Sequence, residues 1–177
     1  MSNLWIQTYT GKKFDLDNLN PDDIDIIDIA HALSNICRFN GHCNTFYSVA
    51  QHCIEVSKTV IPEYKLQALL HDAAEAYIGD LTSPLRRMDC MTGFNRLHNK
   101  IRDVIYSKFN INVSFEADAM INAADIYMLL CEKEVLFDNQ LDWGWRLPEL
   151  MRVVNIKPLN SKTAKESFLS YYEKYKV

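Results

Sequence analysis

No stretch of this 177-residue sequence approaches the ~20 consecutive apolar residues that a membrane-crossing helix requires, which excludes a helical span. The opening MSNLWIQTYT lacks the charged-then-apolar pattern of a secretory signal. Cysteine usage does not describe a disulfide framework: Cys37, Cys43, Cys53, Cys90 and Cys131 contain no C-x-x-C pair and are odd in number. Reduced thiols and a cytoplasmic location are therefore expected. Positive charge is in short supply, with 19 Lys and Arg against 23 Asp and Glu and a formal net charge of -4. That balance gives no broad basic face for duplex nucleic acid, although a few local cations suffice to bind a small phosphate. Internal repeats, low-complexity tracts and linkers are also missing. A hydrophobic fraction of 48% argues against disorder, so residues 1–177 are expected to form a single domain around one core.

The pattern of what is present is helical. LWIQTYTGKKFDL at the front is the exception: Trp5, Gln7 and Tyr9 alternate with Ile6 and Thr8 before Gly11 turns the chain, which predicts a short hairpin. After Asn20-Pro21, apolar residues at Ile26, Ile29, Ala30, Leu33 and Ile36 have helical spacing. Gly41 and its polar surroundings break that helix. Ser48, with Gln51 three residues on, has a capping-box pattern for the next one. Pro62 separates it from a third helix, EYKLQALLHDAAEAY, ended by Gly79, and Pro84 follows in a short connection. Further helices are expected from about Asn95 to Phe109 and from about Phe115 to Phe137, with Thr163 and Glu166 opening a final one. The region of Trp143, Trp145 and Pro148 reads as irregular or briefly helical. The expected architecture is all-α, a helical bundle with a short N-terminal β-hairpin.

Several residues in this frame could carry chemistry. His71 and Asp72 are neighbours in LLHDAAEAY. On a helix they would point about 100° apart, so one metal ion could touch both only from the flank between them. Imidazole nitrogen plus carboxylate oxygen suits a divalent ion such as Mn, Co, Fe, Ni or Zn. Alone, the pair is weak evidence, because five histidines and many aspartates make an incidental neighbour about as good a reading. His52, in YSVAQHCIEV, is a second candidate ligand, with a core or capping role as the alternative. Asp125, in INAADIYMLLC, is a carboxylate among small and apolar residues. It needs a cation, hydrogen bonds or a path to solvent.

Glu75 stands three residues after Asp72 and four after His71, on the same helix face, where it could move a proton or orient His71. Asp80, in GDLTSP, could hold a water or a sugar hydroxyl, or cap the segment before Pro84. Arg38 lies in the Gly-containing loop CRFNGH beside Phe39 and Asn40. It is a better candidate for a phosphate contact than Arg86 or Arg87, which follow Pro84. His98 falls among Arg96, Asn99 and Lys100 and is expected at the surface; His42 has no matching acidic partner. Cys53 and Cys131 are expected in the core.

Taken together, RFNGHCNTFYSVAQHCIEV, LLHDAAEAYIGDLTSPLRR and INAADIYMLLCEKEV resemble the H…HD…D pattern of the HD-domain metal phosphohydrolases, and the likeness extends over most of the chain. Within that superfamily the chain is similar to the compact branch that holds bacterial 5'-deoxynucleotidases and phage dATP triphosphohydrolases. The resemblance implies an HD-domain bundle with His52, His71, Asp72 and Asp125 as ligands of one divalent metal per subunit, whether Co, Mn, Zn, Ni, Fe or Mg. It also implies Glu75 as the acid/base residue, Arg38 as a phosphate contact, Asp80 as a holder of sugar or attacking water, and Arg86 as a reach towards further phosphates. Phe39, Asn40 and Pro84 are candidates for the wall around base and sugar.

The opening LWIQTYTGKKFDL and the phrase IAHALSNICRFNGH lie closer to the phage and phage-like branch. The expectation is therefore hydrolysis of dATP to deoxyadenosine and triphosphate, in a host cytoplasm if the chain is phage-encoded. A 5'-deoxynucleotidase acting on deoxynucleoside monophosphates is the alternative, and a non-catalytic nucleotide-binding scaffold a remote one. A homo-oligomer, dimer or hexamer, is expected from the resemblance. No membrane or duplex nucleic acid partner is expected.

Overall fold

A computed structural model describes residues 4–138, 141–144 and 152–176. Two strands, β1 (Trp5–Gln7) and β2 (Lys13–Asp15), pair antiparallel with Ile6 opposite Phe14. Eight helices follow among the described residues: α1 (Ile26–Asn35), α2 (Val49–Thr59), α3 (Lys65–Leu69), α4 (Glu75–Ile78), α5 (Ser83–Arg86), α6 (Thr92–Lys108), α7 (Phe115–Leu136) and α8 (Ser161–Tyr175). The fold is mostly α with a short N-terminal hairpin. No described helix is long and apolar enough to cross a membrane.

The central element is α2. Val49, Ala50, Cys53 and Ile54 enter a core shared with Phe14, Ile29, Leu33, Leu69, Leu70, Ile101, Ile105 and Phe168. Val56 faces a second cluster built from Tyr47, Val60, Ala68, Ile121, Met128, Cys131 and Leu136. A helix apolar on both sides is buried by its neighbours, and α2 packs against α1, α3, α7 and α8. Any polar side chain on its inward faces is consequently withdrawn from solvent, which decides the environment of His52.

Local signals explain most boundaries. The Asp25 side chain accepts from Ile27 N to cap α1, and Ser48 accepts from Gln51 N to cap α2. The reciprocal half of the expected capping box is not made. Gln51 instead donates to Lys157 O at 2.9 Å and accepts from Leu159 N at 2.8 Å, clasping the segment that leads into α8. The cap of α8 is Asn160, which accepts from Thr163 N, so the helix begins earlier than the Thr163 pattern suggests. Helix α6 likewise starts at Thr92 rather than Asn95.

The largest departure is at residues 63–77, expected as one helix. Regular α-helix ends at Leu69, residues 70–74 form successive turns, and α4 begins at Glu75. The bonds Ala73 N to Leu70 O, Glu75 N to Asp72 O and Tyr77 N to Ala74 O span three residues rather than four, so the chain is wound tighter. His71 and Asp72 lie in this tightened stretch. The side-chain directions of an ideal α-helix do not apply there.

Of the irregular region, Trp143 is described; Trp145 and Pro148 lie outside the described residues. Trp143 closes an aromatic group with Phe137 at 5.6 Å and Phe39 at 6.2 Å between ring centroids.

Candidate metal centre

Three parts of the fold bring the candidate ligands together: α2 supplies His52, the turns after α3 supply His71 and Asp72, and α7 supplies Asp125. His52 Nε2 lies 3.0 Å from Asp125 Oδ1 and 3.6 Å from Asp72 Oδ2. His71 Nε2 lies 3.2 Å from Asp72 Oδ2 and 4.0 Å from Asp125 Oδ1. Donor atoms of His52, His71 and Asp72 all fall within 4.8 Å of one another.

Each imidazole is tethered by its other nitrogen. His71 Nδ1 is 2.7 Å from Ala68 O, an acceptor that requires the proton on Nδ1. His52 Nδ1 is 2.6 Å from Glu132 Oε1. Both Nε2 atoms are buried and have no hydrogen-bond partner, and the carboxylates of Asp125 and Asp72 lie close to them. Imidazoles fixed through Nδ1, with Nε2 turned towards the other candidate ligands, are the arrangement in which histidine binds a metal once Nε2 gives up its proton. His52, His71 and Asp72 form a group that could hold a divalent ion, with Asp125 Oδ1 beside it at 3.0 Å from His52 Nε2.

Glu132 is absent from the candidates that the sequence suggests. It is fully buried and also accepts from Arg38 Nε at 3.0 Å. A signal exists: Glu132 lies seven residues after Asp125, two turns along one face of α7. What conceals it is that a buried Glu looks like any other in a charged helix end, CEKE, until its partners are placed.

Arg38 sits in the expected loop, and its backbone is tied to Tyr47 O at 2.9 Å. The two residues after it, Phe39 (φ 56) and Asn40 (φ 50), adopt left-handed conformations, followed by Gly41 (φ 78). For non-glycine residues this costs about 1–3 kcal/mol each and persists only where surrounding structure imposes it. Here the Cys37–Ser48 bridge and the Arg38–Glu132 pair impose it. The guanidinium is thereby held with Nη1 4.0 Å from Asp72 Oδ2. Phe39 is half-buried in its aromatic group, whereas Asn40 and Pro84 are exposed.

Electrostatics sort the acids. Burial raises the pKa of Asp72, but His71, His52 and Arg38 outweigh it and hold this carboxylate far below the usual range. Asp125 is also lowered, with His52 overcoming burial, and Glu132 is lowered by Arg38 and His52 against burial. Glu75 moves the other way. Burial, then Asp72 and Asp80, push its carboxyl well above the ordinary range, and its Oε2 is buried without a partner. Asp80 is raised by burial, with Arg38 opposing and Asp72 adding to the shift. The imidazoles are raised as well: burial and Arg38 oppose the charge on His52, and Glu132 and Asp125 prevail. For His71, Asp72 and Cys53 prevail over burial.

His98 corrects a sequence expectation. It is 6% exposed rather than on the surface, because α6 turns the face that carries His98 and Ile101 inward. Arg86 is held by Asn95, whose Nδ2 donates to Arg86 O at 2.7 Å. Its charge acts on both Asp80 and His98.

No family model matches the sequence. The uncharacterized protein YfdR of Escherichia coli (strain K12) is 40% identical over 159 residues, covering 87% of each chain. The uncharacterized protein RCAP_rcc00048 of Rhodobacter capsulatus is 30% identical over 145 residues, 76% of this chain and 74% of the relative. Likeness at that level over most of the length places the chain in the family of YfdR and RCAP_rcc00048.

Proposed function

We propose that this chain is an HD-type metal-dependent phosphohydrolase that cleaves a deoxynucleotide at its α-phosphate, with dATP giving deoxyadenosine and triphosphate. The observation that carries the reading is the pair of imidazoles, His52 and His71, anchored through Nδ1 with unpartnered Nε2 atoms facing Asp72. His52, His71, Asp72 and Asp125 would hold one divalent ion. Such an ion, when bound, supplies Lewis acidity at a phosphate oxygen and makes water a better nucleophile at neutral pH.

The chain's own groups account for the remaining work. Arg38, fixed by Glu132 and facing Asp72, is placed to orient the α-phosphate and balance charge on its oxygens. Glu75, whose carboxyl is pushed well above the ordinary range by burial and by Asp72, is suited to give a proton to the departing 5'-oxygen. Water oxygen joins phosphorus as the bond from phosphorus to the 5'-oxygen breaks, and a proton from the water restores Glu75. Asp80 is suited to hold a sugar hydroxyl or that water, Phe39, Asn40 and Pro84 to line base and sugar, and Arg86 to meet further phosphates. The preference for dATP rests on the likeness of LWIQTYTGKKFDL and IAHALSNICRFNGH to the phage-like branch. A homo-oligomer, dimer or hexamer, belongs to the same reading.

The test is incubation of the protein with dATP, dGTP and dAMP in the presence of Mn or Co, with products separated by chromatography. Triphosphate and deoxyadenosine from dATP are expected, and Asp72→Ala should abolish both metal binding and turnover. Phosphate from dAMP with dATP untouched would replace this reading with a 5'-deoxynucleotidase. No turnover with any metal, in protein verified as folded, would refute both.

A further inference from the structure

Beside the candidate metal centre lies a second group of polar atoms that no bond within the described residues satisfies. His98 on α6 is more than nine-tenths buried, yet neither Nδ1 nor Nε2 has a hydrogen-bond partner. One turn along, the Nε of Arg102 is likewise buried and unpartnered, while its Nη2 contacts Asp103 at 3.2 Å and its guanidinium lies 5.8 Å from the Tyr106 ring centroid. One turn earlier, Asn95 grips Arg86 of α5 through two hydrogen bonds, of 2.7 Å and 3.4 Å. Residues 95, 98 and 102 share one face of α6, and Arg86 stands across from them.

This face borders the cluster of candidate ligands. Besides burial, the charges of Arg86 and Asp72 both bear on His98, those of His71 and Arg102 bear on Tyr106, and Arg86 bears on Asp80. Leaving a buried donor or acceptor unmet is costly, because the group has given up its water without a replacement. Three such atoms on adjacent turns are therefore unfavourable unless something outside the chain completes them. The set consists of one imidazole and two guanidinium groups, with Asp103 in contact with Arg102, Asp80 acting on Arg86 and the candidate ligand Asp72 acting on His98. The unmet atoms themselves belong to an imidazole and a guanidinium, which suits an anion with several oxygens and not a cation.

We propose that His98 and Arg102 form, together with Arg86, a subsite for the phosphate groups beyond the first, so that His98 selects a nucleoside triphosphate over a monophosphate. The inference rests on the phosphohydrolase reading for the placement of the first phosphate at Arg38. It concerns different residues and can be measured without turnover.

The experiment is isothermal titration of the metal-free protein with inorganic tripolyphosphate and, separately, orthophosphate, for the natural sequence, His98→Leu and Arg102→Gln. The natural sequence is expected to bind tripolyphosphate at least about 10-fold tighter than orthophosphate. Each substitution should lower tripolyphosphate affinity about 10-fold, the scale of one charge-assisted hydrogen bond, while orthophosphate affinity stays within about 2-fold. Arg102 is only half-buried, so Arg102→Gln preserves the test if His98→Leu does not fold. Absence of a tripolyphosphate preference in the natural sequence, or its retention in a folded variant, overturns the proposal, the second result meaning that ordered water satisfies His98. If the preference is present and lost on substitution while dATP is not hydrolysed with any metal, the subsite stands and the proposed reaction falls.

Discussion

Replacing Glu132 by Gln changes one oxygen to an amide nitrogen without changing shape. The consequence follows from the two hydrogen bonds of that carboxylate. Glu132 accepts from Arg38 Nε at 3.0 Å through one oxygen and lies 2.6 Å from His52 Nδ1 through the other, with no exposure to solvent. The amide of Glu132→Gln would offer one acceptor to two donors. If its oxygen stays with Arg38, its NH2 faces His52 Nδ1, and the imidazole proton must move to Nε2, the atom that faces Asp72 and Asp125. If its oxygen stays with His52, the buried guanidinium loses its nearest counter-charge. Either outcome impairs the site. Loss of such an orienting carboxylate behind a histidine ligand typically weakens metal binding 10- to 100-fold, about 1.4–2.8 kcal/mol. Breaking a buried ion pair costs about 3–5 kcal/mol. Because Gln keeps shape and one acceptor, about 3 kcal/mol is expected, which for a domain of this size lowers Tm by roughly 6–12 °C. Calorimetric titration with Mn or Co measures the first effect and thermal or urea unfolding of the metal-free protein the second. Glu173→Gln, at the exposed pair with Lys176, serves as the control and should leave stability essentially unchanged. Metal affinity within about 2-fold of the natural protein, combined with unchanged stability, would refute the tautomer argument and with it the role given to Glu132.

Three further outcomes are expected. The folded pKa values of His52 and His71 lie above the ordinary one, so their contribution to metal-free stability is complete below about pH 6.5 and is lost as pH rises through the folded values. Metal must displace these protons, so affinity should climb over the same range with proton release, measurable by titration in buffers of different ionisation enthalpy; flat affinity from about pH 6 to pH 9 would contradict it. Phe168→Ala, at a fully buried α8 position in the main core, should destabilise by about 3–5 kcal/mol in urea unfolding, and a loss under about 1 kcal/mol would show that α8 is peripheral. Ser48→Ala removes the α2 cap on Gln51 N at 3.2 Å and should cost about 1 kcal/mol, read as a lower urea midpoint with an unchanged slope.

Local chemistry makes much of this molecule legible in its sequence. Alternation around Trp5–Gln7, apolar spacing from Ile26 to Leu33, and the cap at Ser48 are short-range signals, and they produce the elements they announce. His52, His71, Asp72 and Asp125 can be named from the sequence, and tertiary packing brings them within a few ångströms of one another. What the sequence does not disclose depends on neighbours remote along the chain. The break at Leu70 is invisible in a run as favourable to helix as LQALLHDAAEAY, because propensity does not register the packing that tightens those turns. The polar neighbours Asn99 and Lys100 point to a surface position for His98, but a helix buries one face, and only the position of α6 in the bundle determines which. Glu132 shows the same limit most clearly. Its hydrogen bonds reach Arg38, 94 residues earlier, and His52, 80 residues earlier. The residue types that can ligate a metal are a property of the sequence. Which imidazole nitrogen is left free to do so is decided by contacts that exist only after the helices have packed.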